Sequence, residues 1–175
     1  MTIEREDIVA AVVAAAGEKL TSRVRLQKSV YLLDLLGLDS GFDYEYYHYG
    51  PYSRDLDNAV ADAKAFDLLT ESYGRRQSDG ASYSIFEAKG VTNPDALGKL
   101  PAERARELMR TFVETSVTVL ELAATIDWLW RFEMRTDWRS ELKRRKSVRA
   151  REDRVEKAIG LLKQLGLEPP ASAAA

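Results

Sequence analysis

The chain of 175 residues has no cysteine and one histidine, His48. Without thiols there is no disulfide, thiolate metal site or cysteine nucleophile, and a reducing compartment is compatible with the composition. A single imidazole excludes any two-histidine metal site, and no serine accompanies His48 in a recognisable catalytic context, so it reads as a strand residue near the surface. Glycine and proline are few, ten and five, and no glycine-rich stretch leads into a Lys-Ser/Thr pair that would cradle phosphate. Carboxylates are plentiful but spaced as on solvated helix faces rather than as a catalytic pair. No apolar run suits a bilayer, because the longest, residues 112–130, contains Glu114, Glu121 and Asp127. Residues 1–16 mix Glu4, Arg5, Glu6 and Asp7 with a short Ala/Val run and lack the basic start of a secretory signal. These absences predict a cytoplasmic protein without membrane contact, catalytic residues, cofactor or metal, and hence a non-enzyme.

What is present suits one globular domain over residues 1–168: 45% of the residues are hydrophobic and 31% charged. Ile8, Val12, Ala15 and Ala16 recur at helical spacing and Gly17 can close that first helix. Thr21 or Ser22 can cap a second helix that runs to Leu36 and stops at Gly37. Its apolar residues surround most of the circumference, as in a buried central helix. The aromatic stretch 42–49 predicts a short strand ended by Gly50-Pro51, and Ser53 is a good cap for a third helix. Residues 68–73 and 81–87, joined by a loop with Asp79-Gly80, predict a hairpin. Residues 88–100, with Gly90, Pro94 and Gly98, read as a linker. A long helix from Pro101 carries the stripe Leu108, Phe112, Thr115, Val119, Leu122, Ile126 and Leu129, to be covered by the body of the domain or by a second copy in a homodimer. A last helix over about 138–165 docks through Val155, Ile159, Leu162 and Leu165. The tail 169–175 is expected to be disordered. The fold class predicted is mainly α with a small β-hairpin or sheet: a winged-helix-like core over about 4–88 and a C-terminal helical extension over about 100–167.

Two constellations bear on function. One is aromatic, Tyr44, Tyr46, Tyr47, His48, Tyr49 and Tyr52 within nine residues, side chains favoured where protein surfaces are buried on binding. The other is basic. Residues 138–154 hold eight cations, Arg139, Lys143, Arg144, Arg145, Lys146, Arg149, Arg151 and Arg154, against three carboxylates, in a chain of net charge −2. That run could meet phosphates or be a solvated helix face paired with its own acids. For a winged helix on DNA the third helix would face the major groove, yet there Asp55, Asp57 and Asp62 outnumber Arg54 and Lys64. Arg75 and Arg76 at the hairpin tip could still touch a phosphate backbone. The leading expectation is a non-enzymatic protein-binding module with partner-binding residues Arg25, Gln27, Lys28, Tyr47, His48, Tyr49 and Tyr52. The alternative is a DNA-binding regulator using Arg75, Arg76, Lys143, Arg144, Arg145, Lys146 and Arg149.

The segment from Arg25 through Leu26, Gln27 and Lys28 to Tyr31, followed by Tyr47 to Leu56 with its Tyr49-Gly50-Pro51 core and Ser53, resembles the YwgA-like proteins and the related Panacea domain, which includes SocA-like antitoxins and phage-associated proteins. The resemblance extends from about Val24 to Glu87 and more loosely to the helix around Glu121–Trp130 and the closing segment Ala158–Leu167. It implies a helical domain with a small sheet that acts through protein contact, on a toxin or a regulatory partner in antitoxin or phage-defence settings. Pro51-Tyr52-Ser53 stands where Panacea members often have aliphatic residues after Gly-Pro, which favours the YwgA-like branch. Physically, Gly50-Pro51 fixes a sharp exit from the strand, Ser53 caps the next helix, and Gln27 and Lys28 can reach carbonyls left unpaired by that irregular stretch.

Overall fold

The computed structural model describes residues 3–90 and 95–174. Pro94 of the expected linker, the first two residues and Ala175 lie outside them. The first half follows local signals closely. Helix α1 (Arg5–Ala15) ends before Gly17 at φ +95°, and α2 (Arg23–Leu35) before Gly37 at φ +113°. Ser22 Oγ accepts from the Arg25 amide at 3.3 Å to start α2, and Ser53 Oγ accepts from Leu56 at 3.2 Å to start α3 (Arg54–Ala65). Between α1 and α2 the chain forms a strand that three residues could not announce, β1 (Lys19–Thr21).

That strand closes the sheet. The strands later named β4 (Leu69–Arg75) and β5 (Ser82–Ala88) form the expected hairpin, and β1 pairs antiparallel with β5, giving the order β1-β5-β4. Leu20 and Glu71 flank Phe86 in register. Leu20, Leu69 and Phe86 are buried beneath the helices, while the opposite face carries Lys19, Thr70, Ser72 and Glu87 beside the part-buried Tyr83 and Ile85. Helix, strand, two helices and a hairpin is the winged-helix layout, within a protein that is mainly α.

An insertion separates α2 from α3. Only Glu45–Tyr47 of the aromatic stretch is strand (β2), and Gly50-Pro51-Tyr52 does not end the sheet but returns as its partner, β3. Glu45 faces Tyr52 and Tyr47 faces Gly50, so His48 and Tyr49 form the turn. Gly50 is required there twice over. Its φ is +94°, and a Cβ would sit 2.4 Å from Thr125 Oγ1 of the helix beneath. In the expected linker, β6 (Ala96–Leu97) and β7 (Leu100–Pro101) form a very small hairpin.

The C-terminal half breaks where long helices are predicted. The first is two, α4 (Ala102–Glu114) and α5 (Val117–Arg131), separated at Thr115 and restarted by Ser116, whose Oγ accepts from Val119. Arg25 of α2 seals the break by donating to the carbonyls of Phe112 and Thr115. Leu108, Phe112, Val119, Leu122, Ile126 and Leu129 are all buried within the one chain, so the domain's own body covers the stripe. Helix α5 is the axis, packing on α2 and β3 as well as on the two helices that follow it. The last expected helix is also two, α6 (Trp138–Lys146) and α7 (Glu152–Gln164), joined by a 3₁₀ turn at Ser147–Arg149 that begins with Ser147 at φ +49°. The tail is a further correction. Instead of fraying, it returns along α6: Trp138 Nε1 donates to the Pro170 carbonyl at 2.9 Å and the Ala173 amide to Thr136 at 2.7 Å. Tertiary hydrogen bonds outweigh its Ala-rich composition. Among the described residues no helix is long and apolar enough to cross a membrane.

Candidate functional site

The tyrosine hairpin β2–β3 lies between α2 and the basic turn after α6, and two different chemistries hold it. On the α2 side the backbone of Ser53 is gripped at both ends by one amide. Gln27 Nε2 donates to the Ser53 carbonyl and Gln27 Oε1 accepts from the Ser53 amide, each at 2.9 Å. Lys28 Nζ donates to the Pro51 carbonyl at 2.5 Å. Gln27 and Lys28 are thus buried in the role their position beside an irregular segment implies, satisfying carbonyls that no ladder reaches.

Above them is a pocket of about 290 Å³ lined by Arg23, Val24, Gln27, Lys28, Tyr47, Tyr49, Tyr52 and Asp57. Tyr47 and Tyr52 approach to 5.4 Å between ring centroids, and Tyr47 and Tyr49 keep about half of their surface exposed. Tyr52 donates to Asp57 at 2.6 Å, and this bond, then burial, pushes its hydroxyl up to about 12. Asp57 also accepts from Gln27 at 3.1 Å and Arg23 at 3.3 Å, so its charge is met from three sides. Lys28 is different. It is 2% exposed and, among the described residues, its one hydrogen-bond partner is the Pro51 carbonyl. Burial first, and then repulsion from Lys146, push it down from the ordinary lysine range to about 7, with Glu121 pulling the other way.

The other side of the hairpin rests on cations. Arg145 lies 4.6 Å over the ring of Tyr46 and Arg149 5.1 Å over that of Tyr49. These basic residues are consumed internally. Lys146 meets Glu121 at 2.8 Å and Arg149 meets it at 3.0 Å. Arg145 joins Glu133 and Glu141, Arg144 joins Glu141, and Lys143 joins Glu152.

The structure therefore brings together Gln27, Lys28, Tyr47, Tyr49 and Tyr52 of the expected partner-binding set. His48 sits beside them at the turn, its ring tilted against that of Tyr47 at 4.4 Å between centroids. Arg25 does not belong, since its guanidinium is turned to the α4–α5 break. Of the expected phosphate-contacting set, Lys143, Arg144, Arg145, Lys146 and Arg149 are held in ion pairs, Arg76 pairs with Asp79, and Arg75 is exposed at the wing. Arg23, Val24 and Asp57 also line the pocket, although they stand outside the expected partner-binding set. The Tyr52–Asp57 hydrogen bond, five residues apart across a helix start, leaves no periodic signal. Among the described residues no group of three histidine, aspartate or glutamate side chains could hold a metal ion. No family model matches the chain, and no curated protein matches it.

Proposed function

We propose that this protein is a non-enzymatic binding module of the cytoplasm that recognises another protein through the pocket of Tyr47, Tyr49 and Tyr52. The observation that carries the reading is the state of those rings. Tyr47 and Tyr49 remain 52% and 44% exposed around a preformed pocket, in a domain whose other tyrosines of the cluster are turned inward or covered. Rigid aromatic side chains lining a small recess are what a partner's anchor residue needs. The resemblance to YwgA-like and Panacea-domain proteins agrees with a protein partner of toxin or regulatory type. DNA binding is less well supported, because the basic run spends its charge on Glu121, Glu133, Glu141 and Glu152. Asp62 is exposed on α3, where a groove-reading helix needs donors.

The test compares two folded variants in crosslinking pull-downs from the native host. One replaces Tyr47 and Tyr49 with Ala, the other Arg75, Arg76 and Arg144. The tyrosine variant is expected to lose its partner and the arginine variant to keep it, with little response to salt. Loss in the arginine variant, together with steep salt dependence and co-purified nucleic acid, would transfer the assignment to DNA.

A further inference from the structure

The pocket's lining is unevenly satisfied. Arg23, Gln27, Asp57 and Tyr52 form a closed set of hydrogen bonds, and Arg23 is further fixed by Glu71 at 2.9 Å. Lys28, on the same wall, carries an amine with three protons in its charged form and is given one acceptor among the described residues. A buried ammonium in that position is costly unless a further acceptor meets it. The charged groups lining the recess otherwise are one guanidinium and one carboxylate, whose pairing leaves the Lys28 charge uncompensated. The Glu121 carboxylate that could have answered it is already held by Lys146 and Arg149. The remaining surface is apolar and aromatic, contributed by Val24 and the three tyrosines.

From this pattern we infer that the pocket is a carboxylate site: it takes a monoanion on a short apolar or aromatic stem, with the stem between the tyrosine rings and the carboxylate closing on Lys28. The inference deepens the protein-binding reading and rests on it only for the source of the group, an acidic side chain or terminal carboxylate of the partner. A cavity of about 290 Å³ has room for one such side chain rather than for a cofactor. Single negative charge is the match because the lining holds one cation in excess. A phosphate-like dianion would bring a second negative charge beside Asp57 with no second cation in excess to meet it. Binding also has a signature inside the protein. A carboxylate beside the Lys28 amine favours its protonated form, so occupancy should draw a proton in at neutral pH.

The probes are phenylacetate and its neutral counterpart phenylacetamide, titrated against the full chain labelled with ¹³C at the lysine ε carbons. Phenylacetate is expected to bind saturably and at least about tenfold more tightly than the amide, as a charge-assisted hydrogen bond provides. The Lys28 resonance should then titrate at higher pH than in the free protein. Lys28→Met, which keeps the stem and removes the charge, should bind both probes equally while retaining its cooperative unfolding. Lys28→Arg restores the charge, and with it some preference for the acid. Equal binding of acid and amide by the wild type, no binding by either, or an undiminished preference in the Met variant would overturn the carboxylate site. A second pair of probes, an N-acetylated pentapeptide amide Gly-Phe-Glu-Phe-Gly and the same peptide with Gln at its centre, separates the two claims. Preference for the Glu peptide supports a protein-borne carboxylate. Binding of phenylacetate with neither peptide retained keeps the site and refutes the partner segment as its source.

Discussion

Lys146 and Lys28 are both buried beside the tyrosine hairpin, and burial depresses both below the ordinary lysine range. Around Lys146 the protein answers the charge completely. Glu121 sits at 2.8 Å, Arg149 shares that carboxylate, and the ring of Tyr46 covers the ammonium at 5.9 Å. Around Lys28 it supplies one backbone carbonyl and an aromatic recess. Desolvation is common to the two, so the difference lies in what was built opposite them. A closed pair is a fastening between α5 and α6; an open one, lining a cavity, is arranged for something from outside. The contrast also explains why the densest basic stretch of the sequence is a poor guide to the partner. Its charges are matched by acids contributed from α5, α6, α7 and the Glu133 turn; Glu141 lies one helical turn from Arg144 and Arg145, but the matches with Glu121, Glu133 and Glu152 are visible in no local pattern.

Breaking the closed pair should have the largest effect. Glu121→Gln leaves Lys146 buried without its carboxylate and frees Arg149, and urea unfolding should show a loss of about 3–5 kcal/mol. The same substitution removes the one attraction that holds the Lys28 amine up, so that lysine should titrate at still lower pH. An effect below about 1 kcal/mol would mean that Lys146 reaches water and that the two lysines differ less than their partners do. Next in size is Gly50→Ala, which lifts the hairpin off α5. Positive φ and the contact with Thr125 Oγ1 together should cost about 2–4 kcal/mol. Adding Thr125→Ala should return the part due to the contact and leave the part due to the backbone.

Legibility in the sequence followed the range of the forces involved. Ser22, Ser53, Gly17 and Gly37 announce their helix ends because a cap acts over three or four residues, and the Asp79-Gly80 hairpin is equally local. By contrast, β1 exists through pairing with β5 more than sixty residues away, and the tail is held by Trp138 from across the chain. The α4–α5 break is hidden because Ser116 and Thr115 do not interrupt a stripe of apolar residues. At the site, Gln27, Lys28 and the tyrosines stand out as an unusual cluster, whereas Asp57 looks like any exposed acid on α3 until Tyr52, Gln27 and Arg23 are seen to converge on it.

The smallest predicted effect is also the sharpest test of the open lysine. Lys28 is held at about 7 in the folded protein against 10.5 in its ordinary state, so between those values the unfolded chain binds the proton and the folded one releases it. Wild-type stability must then rise as pH climbs from about 7 to 10.5, with the full penalty present below 7. Lys28→Met removes that term. It should be more stable than wild type by about 1 kcal/mol at pH 7, net of the lost Pro51 bond, with the advantage shrinking and then reversing sign as pH climbs toward 10 in paired thermal or urea melts. A variant that is destabilised at pH 7 and stays so at pH 10 would show that Lys28 is needed as a strut.

The Arg25 clamp has a consequence for dissecting the protein. A guanidinium from the winged part closes the break between two helices of the extension, and α5 covers α2 and the back of the hairpin. The winged segment therefore lacks the independence that makes such units portable between proteins: cut after residue 90 it would present the face of Tyr31 that Asp127, Trp128 and Phe132 of the extension conceal. Trading or fusing this architecture requires moving both sequence halves together, and interaction mapping should proceed by substitution rather than truncation.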